Sequence, residues 1–411
     1  MRILHTADWH LADRLGRIDR TDDLRRAVER VADYCRSEKV DVLLVAGDLF
    51  SELAGAEALR ESIKHLQQTF EPFLRDGGTI LTLTGNHDKE NFCQTLRHAM
   101  NLAAPSAGKF GEIVDRGRLY LATGPTLLRL IDRDTDKPVQ FILMPYPTPT
   151  RYLDDEESQR YQSLDEKNRR LMAAYTRKLN AARSDKRFDP SLQTVLAAHV
   201  HVRGAELPTL FRISEEEDVV FSDAELPAGF AYIALGHIHR AQFLGGQKHI
   251  RYCGSIERLD LGEKDDQKGV VLFDIGPEGL RGEPAVLPLE ATPIYEIEIH
   301  SPQDEIPGLR ESYAGAHNDL VRIVLHYTAG VDNREEHLRE LNDIFPRWYD
   351  RAIYERNALD RITLVGGSAA SSKSFEQIVR DYIQQELTNY AEDFREAVLA
   401  RADELMKEVQ A

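Results

Sequence analysis

Five polar motifs in this chain each follow an apolar, β-forming run. Asp8-Trp9-His10 follows residues 2–6, Gly47-Asp48 follows 40–45, and Gly85-Asn86-His87-Asp88 follows 79–84; His199 follows 194–197, and Gly236-His237-Ile238-His239 follows 232–235. Strands buried on both faces read as short continuous apolar runs and belong to sheets covered by helices. Loops that carry ligands gather beyond the strand ends of such sheets. The pattern therefore calls for an α/β fold in which residues far apart in sequence meet along one edge.

The rest of the sequence fits that frame. Leu24, Ala27, Val28, Val31, Ala32 and Cys35 recur at helical spacing with Asp19 or Thr21 as N-cap, and a second helix is expected over 54–74. Further strands are expected at 119–122, 140–143 and 270–273, and the charged segment 156–184 has a helical pattern. Together these predict a two-sheet sandwich flanked by helices, occupying 1–288. The pattern changes near Pro288. An alternating strand at 294–299, a strand at 320–326, a helix at 334–345 and a strand at 361–365 predict a small α+β domain over 289–366. Residues 367–373, rich in Gly and Ser, read as a linker. In 374–411, Phe375, Ile378, Val379, Tyr382, Ile383 and Leu387 form one apolar stripe, and Phe394, Val398, Leu399, Leu405 and Val409 a second; such helices need a partner surface.

Composition limits what the chain can do. A net charge of −17 argues against coating nucleic acid by bulk electrostatics, while leaving room for a local basic groove. The acidic runs at 154–157 and 215–218 read as solvated loops. Cys35, Cys93 and Cys253 are scattered, which speaks against a disulfide framework or a zinc knuckle. With no signal peptide and no membrane span in the pattern, the expected location is cytoplasmic.

The motifs combine carboxylate, imidazole and amide donors, the set needed to hold two divalent ions against a phosphodiester. Asp48 is the natural bridge, because a carboxylate has two oxygens to share and a neutral imidazole has one free nitrogen. Asp8-x-His10 and His237-x-His239 place paired side chains on one face of an extended segment. Asn86 adds a carbonyl oxygen, and His87 is free to stabilise the transition state or protonate the leaving oxygen. Mixed ligation of this kind suits manganese, iron or zinc better than calcium. His199 and His201 compete for one ligand position, and the direct sequel to the apolar run favours His199. Arg14, Arg17 and Arg20 read as solvated, Arg258 as either a backbone-phosphate contact or a surface ion pair, and His5 as a core or supporting histidine.

In order and residue type, the series resembles the calcineurin-like metallophosphoesterases. More narrowly, the blocks around Asp8, Gly47-Asp48-Leu49-Phe50 and Tyr252-Cys253-Gly254-Ser255 look like the nuclease subunits of SbcCD-type repair complexes. Ala12 departs from the glycine usual after His-Leu in that family. The resemblance implies one metal held by Asp8, His10, Asp48 and His239, a second held by Asp48, Asn86, His199 and His237, and His87 as the catalytic histidine. It further implies manganese, 3′ to 5′ double-strand exonuclease and endonuclease activity in double-strand-break and hairpin processing, and a DNA-capping role for the small domain. The implied partners are DNA and an SbcC-type ATPase whose coiled coil takes the C-terminal helices, with a homodimer inside a heterotetramer and no membrane. The competing readings are a small-molecule phosphatase or cyclic-nucleotide phosphodiesterase with the same bimetal chemistry, and a metal-bound scaffold that does not cut.

Overall fold

The computed structural model of the chain describes residues 1–104, 111–153, 161–207, 219–222, 228–356, 380, 383 and 398–402. Its strands, in chain order, begin with β1 (Arg2–Thr6), β2 (Val42–Val45), β3 (Thr79–Leu83), β4 (Leu119–Ala122), β5 (Thr126–Ile131) and β6 (Pro138–Met144). They continue with β7 (Thr194–His199), β8 (Tyr232–Gly236), β9 (Gln242–Leu244), β10 (Gln247–Tyr252), β11 (Gly269–Gly276) and β12 (Gly279–Pro288). The longer helices are α1 (Thr21–Ser37), α2 (Ala56–Arg75), α3 (Glu90–Ala103) and α4 (Leu164–Ser184).

Two six-stranded sheets result, ordered β12-β11-β1-β2-β3-β4 and β9-β10-β8-β7-β6-β5. β1, β2, β3 and β4 run parallel, as do β6, β7, β8 and β10, so the motif-bearing ends of both sheets point the same way within each sheet. The pleat explains the packing. On β1 and β2, Ile3, Val42 and Leu44 face Phe141, Val195, Ala197 and Ala234 of the other sheet, while Leu4, Leu43 and Val45 face the helices. α1 buries Leu24, Val28 and Val31, and α2 buries Phe70 and Phe73 on that outer face. α4 covers the second sheet with Leu171, Tyr175 and Leu179 against Ile142, Leu196 and Ile233. The order of layers is helix, sheet, sheet, helix, and every central strand is buried on both sides.

Several elements go beyond what the sequence pattern revealed. α3, β5, β9, β10 and β12 were not expected; β12 is mostly exposed and carries little apolar signal. The cap of α1 also differs: Arg20 is the N-cap, and Asp19 instead accepts from the backbone N–H of Thr21 at 2.8 Å. The helical part of the charged segment begins only at Leu164, with Ser163 capping it through the N–H of Glu166.

The contacts divide the chain into two units. The larger comprises Met1–Glu296 with Asn318–Val321 and Arg347–Asp350; the smaller comprises Ile297–His317, Arg322–Pro346 and Arg351–Ala411. Three strands, β13 (Ile294–Ile299), β14 (Leu320–Thr328) and β15 (Trp348–Arg356), form a sheet in that order, accompanied by α5 (Pro302–Ser312) and α6 (Arg334–Ile344). The third strand of this sheet is β15, which the sequence did not suggest; the strand expected at 361–365 lies outside the described residues, as do the linker, most of the C-terminal segment and both acidic runs. Residues 380, 383 and 398–402 are helical. Among the described residues no helix is long and apolar enough to cross a membrane, and all three cysteines are free and buried.

Candidate metal centre

The loops after β1 and β2 are zipped together beyond the end of their strand pairing. The N–H of Asp8 donates to the carbonyl of Gly47 at 3.0 Å, and those of Trp9 and His10 donate to the carbonyl of Asp48 at 2.8 and 3.0 Å. This brings the first two motifs side by side before any side-chain contact is counted. In these two loops Asp8, His10, Ala12 and Asp48 adopt positive φ of 53°, 43°, 66° and 51°, and His237, after β8, has φ of 94°. That conformation costs a non-glycine residue roughly 1–2 kcal/mol, and such strain concentrates at functional sites. Ala12 is among them, which gives a physical reason for the glycine usual there in the resembling family.

Two motif glycines are required by close approach. A Cβ on Gly47 would collide with the ring of His199, and one on Gly85 would collide with the carboxylate of Asp48. Asp88 finishes the third motif as a clip: its carboxylate accepts from the N–H groups of Gly85 at 2.8 Å, Phe50 at 2.9 Å and Leu49 at 3.3 Å. Burial, followed by the charge of Asp48, pushes the Asp88 carboxyl up to about 6 in spite of those three donors.

Seven sequence-predicted side chains converge here. Asp8, His10 and His239 bring one ligand atom each within 4.8 Å of one another, and so do Asp8, Asp48 and His199. Nε2 of His199 lies 3.0 Å from Oδ1 of Asn86 and 3.2 Å from Oδ2 of Asp48, and Nδ1 of His237 lies 3.0 Å from the same Asn86 oxygen. Asp48 lies between the two groups, with Oδ2 3.6 Å from Nε2 of His10. Asp8, His10, Asp48, His199, His237 and His239 are all at most 5% exposed.

His87 sits at the margin, with its side chain 21% exposed and its ring 4.9 Å from that of His10. Its backbone N–H donates to Oδ1 of Asp48 at 2.9 Å. The structure places His199, not His201, among the carboxylates; His201 is buried behind, its ring 6.3 Å from that of His237. His5 belongs to the core, edge-on to Tyr232 with Nδ1 3.2 Å from the phenol oxygen, and burial drives its pKa down to about 3. Arg258 is structural: its guanidinium donates to the carbonyls of Asp266, Ala291 and Thr292. Arg20 is buried on Asp23 and Glu257, contrary to the solvated reading, while Arg14 is exposed.

Nothing in the sequence pattern marked Glu263, a buried carboxylate that accepts from Nδ1 of His239 at 2.8 Å. Lys268 donates to Glu263 at 2.6 Å and to the carbonyl of His239 at 3.0 Å, and Ser255 donates to Glu263 at 3.0 Å. Burial opposes the charge on Glu263, but Lys268 and then His239 hold its carboxyl well below the usual range. Ser255 stands in the quoted Tyr252-Cys253-Gly254-Ser255 block, the one available hint. Tyr146 was also missed; its ring is 5.5 Å from that of His237.

The donor chemistry fits cations. Nδ1 of His199 faces the carbonyl of Ala46 at 2.8 Å and Nδ1 of His239 faces Glu263, so each ring is oriented with Nε2 toward the cluster. Nε2 of His239 then lies 3.3 Å from Nε2 of His10. Among the described residues no lysine or arginine forms an ion pair with Asp8 or Asp48, although both are buried. Burial drives the Asp8 carboxyl up against the pull of His199 and His239. Burial opposes the charge on Asp48 as well, yet His199, then His10, hold it well below the usual range. Burial works against a proton on His199, but the charge of Asp48, then that of Asp8, raises its pKa to about 9. Buried carboxylates neutralised only by imidazolium protons are what a cation site looks like when protons stand in for the ions.

A family model described as calcineurin-like phosphoesterase matches residues 1–241. The chain is 30% identical over 288 residues to the nuclease component of SbcCD from Escherichia coli, an alignment covering 66% of this chain and 64% of that protein, so it spans just under two thirds of that relative's length. It is 27% identical over 294 residues to the protein of the same name in Bacillus subtilis, covering 67% of each. A solved dimetal phosphatase from Danio rerio superposes with a TM-score of 0.41 at 9% identity, covering 71% of this chain and 99% of that one.

Proposed function

Because this chain belongs to the calcineurin-like phosphoesterase family, we propose that it is a metal-dependent DNA nuclease with 3′ to 5′ double-strand exonuclease and endonuclease activity. The observation that carries the reading is the convergence of two buried carboxylates, paired with no described arginine or lysine, with four imidazoles and one amide oxygen at the ends of five strands. In this reading Asp8, His10, Asp48 and His239 hold one ion, Asp48, Asn86, His199 and His237 hold the other, and manganese is the preferred metal. Two divalent ions, when bound, polarise a phosphodiester and supply a hydroxide nucleophile at neutral pH. His87, at the exposed margin, donates a proton to the leaving 3′ oxygen. The names of the bacterial relatives, nuclease subunits of SbcCD, support a nuclease that works within such a complex; the reading adds DNA as substrate, an SbcC-type ATPase as partner, a homodimer within a heterotetramer and action in the cytoplasm. The small unit would cap DNA, and the C-terminal segment would dock on the ATPase.

The test is cleavage of labelled duplex and hairpin DNA with manganese, alone and with the ATPase partner. Rapid turnover of phosphomonoesters or cyclic nucleotides with no action on DNA would replace this reading by the small-molecule phosphatase.

Two expectations follow from the ligand assignment. Since His199 is protonated in the metal-free protein and must give up Nε2, loading ions at pH 7.5 releases about one proton from this residue, and apparent affinity rises with pH up to about 9. Calorimetry in two buffers of different ionisation enthalpy counts the protons; none released would remove His199 from the ligand set. The metal-free fold has the opposite dependence: its pKa of about 9 exceeds the ordinary histidine value of 6.5, so the stabilisation is complete below 6.5 and is lost as pH rises through 9.

The second concerns Glu263, which orients His239 and favours a lone pair on Nε2. Glu263→Gln is expected to weaken metal binding by about ten- to a hundredfold. Metal titration of the folded variant, with a thermal melt as control, measures this, and wild-type affinity would reduce Glu263 to a structural partner of Lys268.

A further inference from the structure

We propose that the smaller unit carries a separate divalent transition-metal site formed by Glu298, His300 and His326. Glu298 lies on β13 and His300 directly follows the strand end, two residues on, so alternation sends both toward the same face, while Ile297 and Ile299 on the opposite face are buried. His326, on neighbouring β14, supplies the third donor. Its Nε2 lies 2.9 Å from Oε1 of Glu298, and Nε2 of His300 lies 3.5 Å from that same oxygen. The three donor atoms all lie within 4.8 Å of one another.

The distances suit a small cation. Zinc bonds of 2.0–2.1 Å at tetrahedral angles set ligand atoms about 3.3 Å apart, and the two glutamate separations bracket that value. The imidazole rings stack with centroids 4.6 Å apart and planes 23° apart, and the remaining gap between their nitrogens closes by a small rotation of His300, which is 56% exposed. His326 is the more fixed, with Tyr354 of β15 stacked on it at 5.1 Å. A simple ion pair accounts for one imidazole on Glu298. It gives no reason for a second to bring Nε2 to the same oxygen, because two stacked imidazolium ions would repel each other. A cation shared by both rings and the carboxylate does. Two imidazoles with one carboxylate select zinc, nickel, copper(II) or cobalt over magnesium and calcium, and water would fill the open position.

The experiment uses the full chain without a histidine tag, stripped by chelation and titrated with zinc alone. Wild type is expected to bind one more zinc ion than His300→Ala/His326→Ala, with the phosphodiesterase rate of the manganese-loaded protein unchanged between them. Glu298→Gln, which conserves volume, is expected to weaken that extra ion at least tenfold and serves if the double variant fails to fold. Equal numbers of ions and equal affinities in wild type and variants would overturn the site and leave an exposed ion pair.

Discussion

His87→Gln is expected to lower DNA cleavage by about a hundred- to ten-thousand-fold, the usual worth of a positioned general acid, while leaving the metal content at its wild-type value. The separation is possible because the N–H of His87 donates to Oδ1 of Asp48, a bond that survives the substitution, and because all seven proposed ligands are kept although the His87 ring lies beside His10 and Asp48. The imidazole itself is partly exposed and lies beside His10. Glutamine retains hydrogen-bonding capacity but cannot deliver a proton, so the limb of the pH profile that depends on an acid should disappear together with the rate. Cleavage close to the wild-type rate would remove His87 from the chemistry.

Asp48→Asn is expected to be more severe, because it removes the charge shared by both ion positions. Metal-assisted charge stabilisation is worth several kcal/mol, so the rate should fall on the order of a thousandfold or more, with loss of both ions at ordinary metal concentrations. Asparagine preserves shape, and its carbonyl oxygen can still accept from the His87 N–H. The metal-free variant should therefore fold, but it is expected to be less stable than wild type below about pH 9, because the charge of Asp48 is what holds the proton on His199 in the fold. Metal content by atomic emission, read beside a thermal melt, decides the matter. A variant that still holds two ions would refute the bridging role.

The two substitutions also show which parts of the site could be read in advance. Asp8, His10, Asp48, Asn86, His87, His199, His237 and His239 were all legible because each follows an apolar strand, and the chain direction of a parallel sheet sends such residues to one edge. The central strands were legible for a related reason: burial on both faces leaves them little but apolar residues. β12, exposed along most of its length, and α5, interrupted by Pro307 and Gly308, lack that signature and were missed. Glu263 was invisible because one glutamate in an ordinary polar stretch looks like surface until the fold buries it against His239 and Lys268.

By itself the sequence determined the layered fold and which polar side chains gather beyond the strand ends, since both follow from local patterns: hydrophobic runs set the strands, and strand ends set the residues beyond them. Only the tertiary structure put His199 rather than His201 beside Asp8 and Asp48, turned Arg20 and Arg258 into structural cations, and brought Glu263 behind His239. Those outcomes depend on which side chains meet across hundreds of residues, and on whether burial leaves a charge with a partner. Neither is encoded in any short window of the chain.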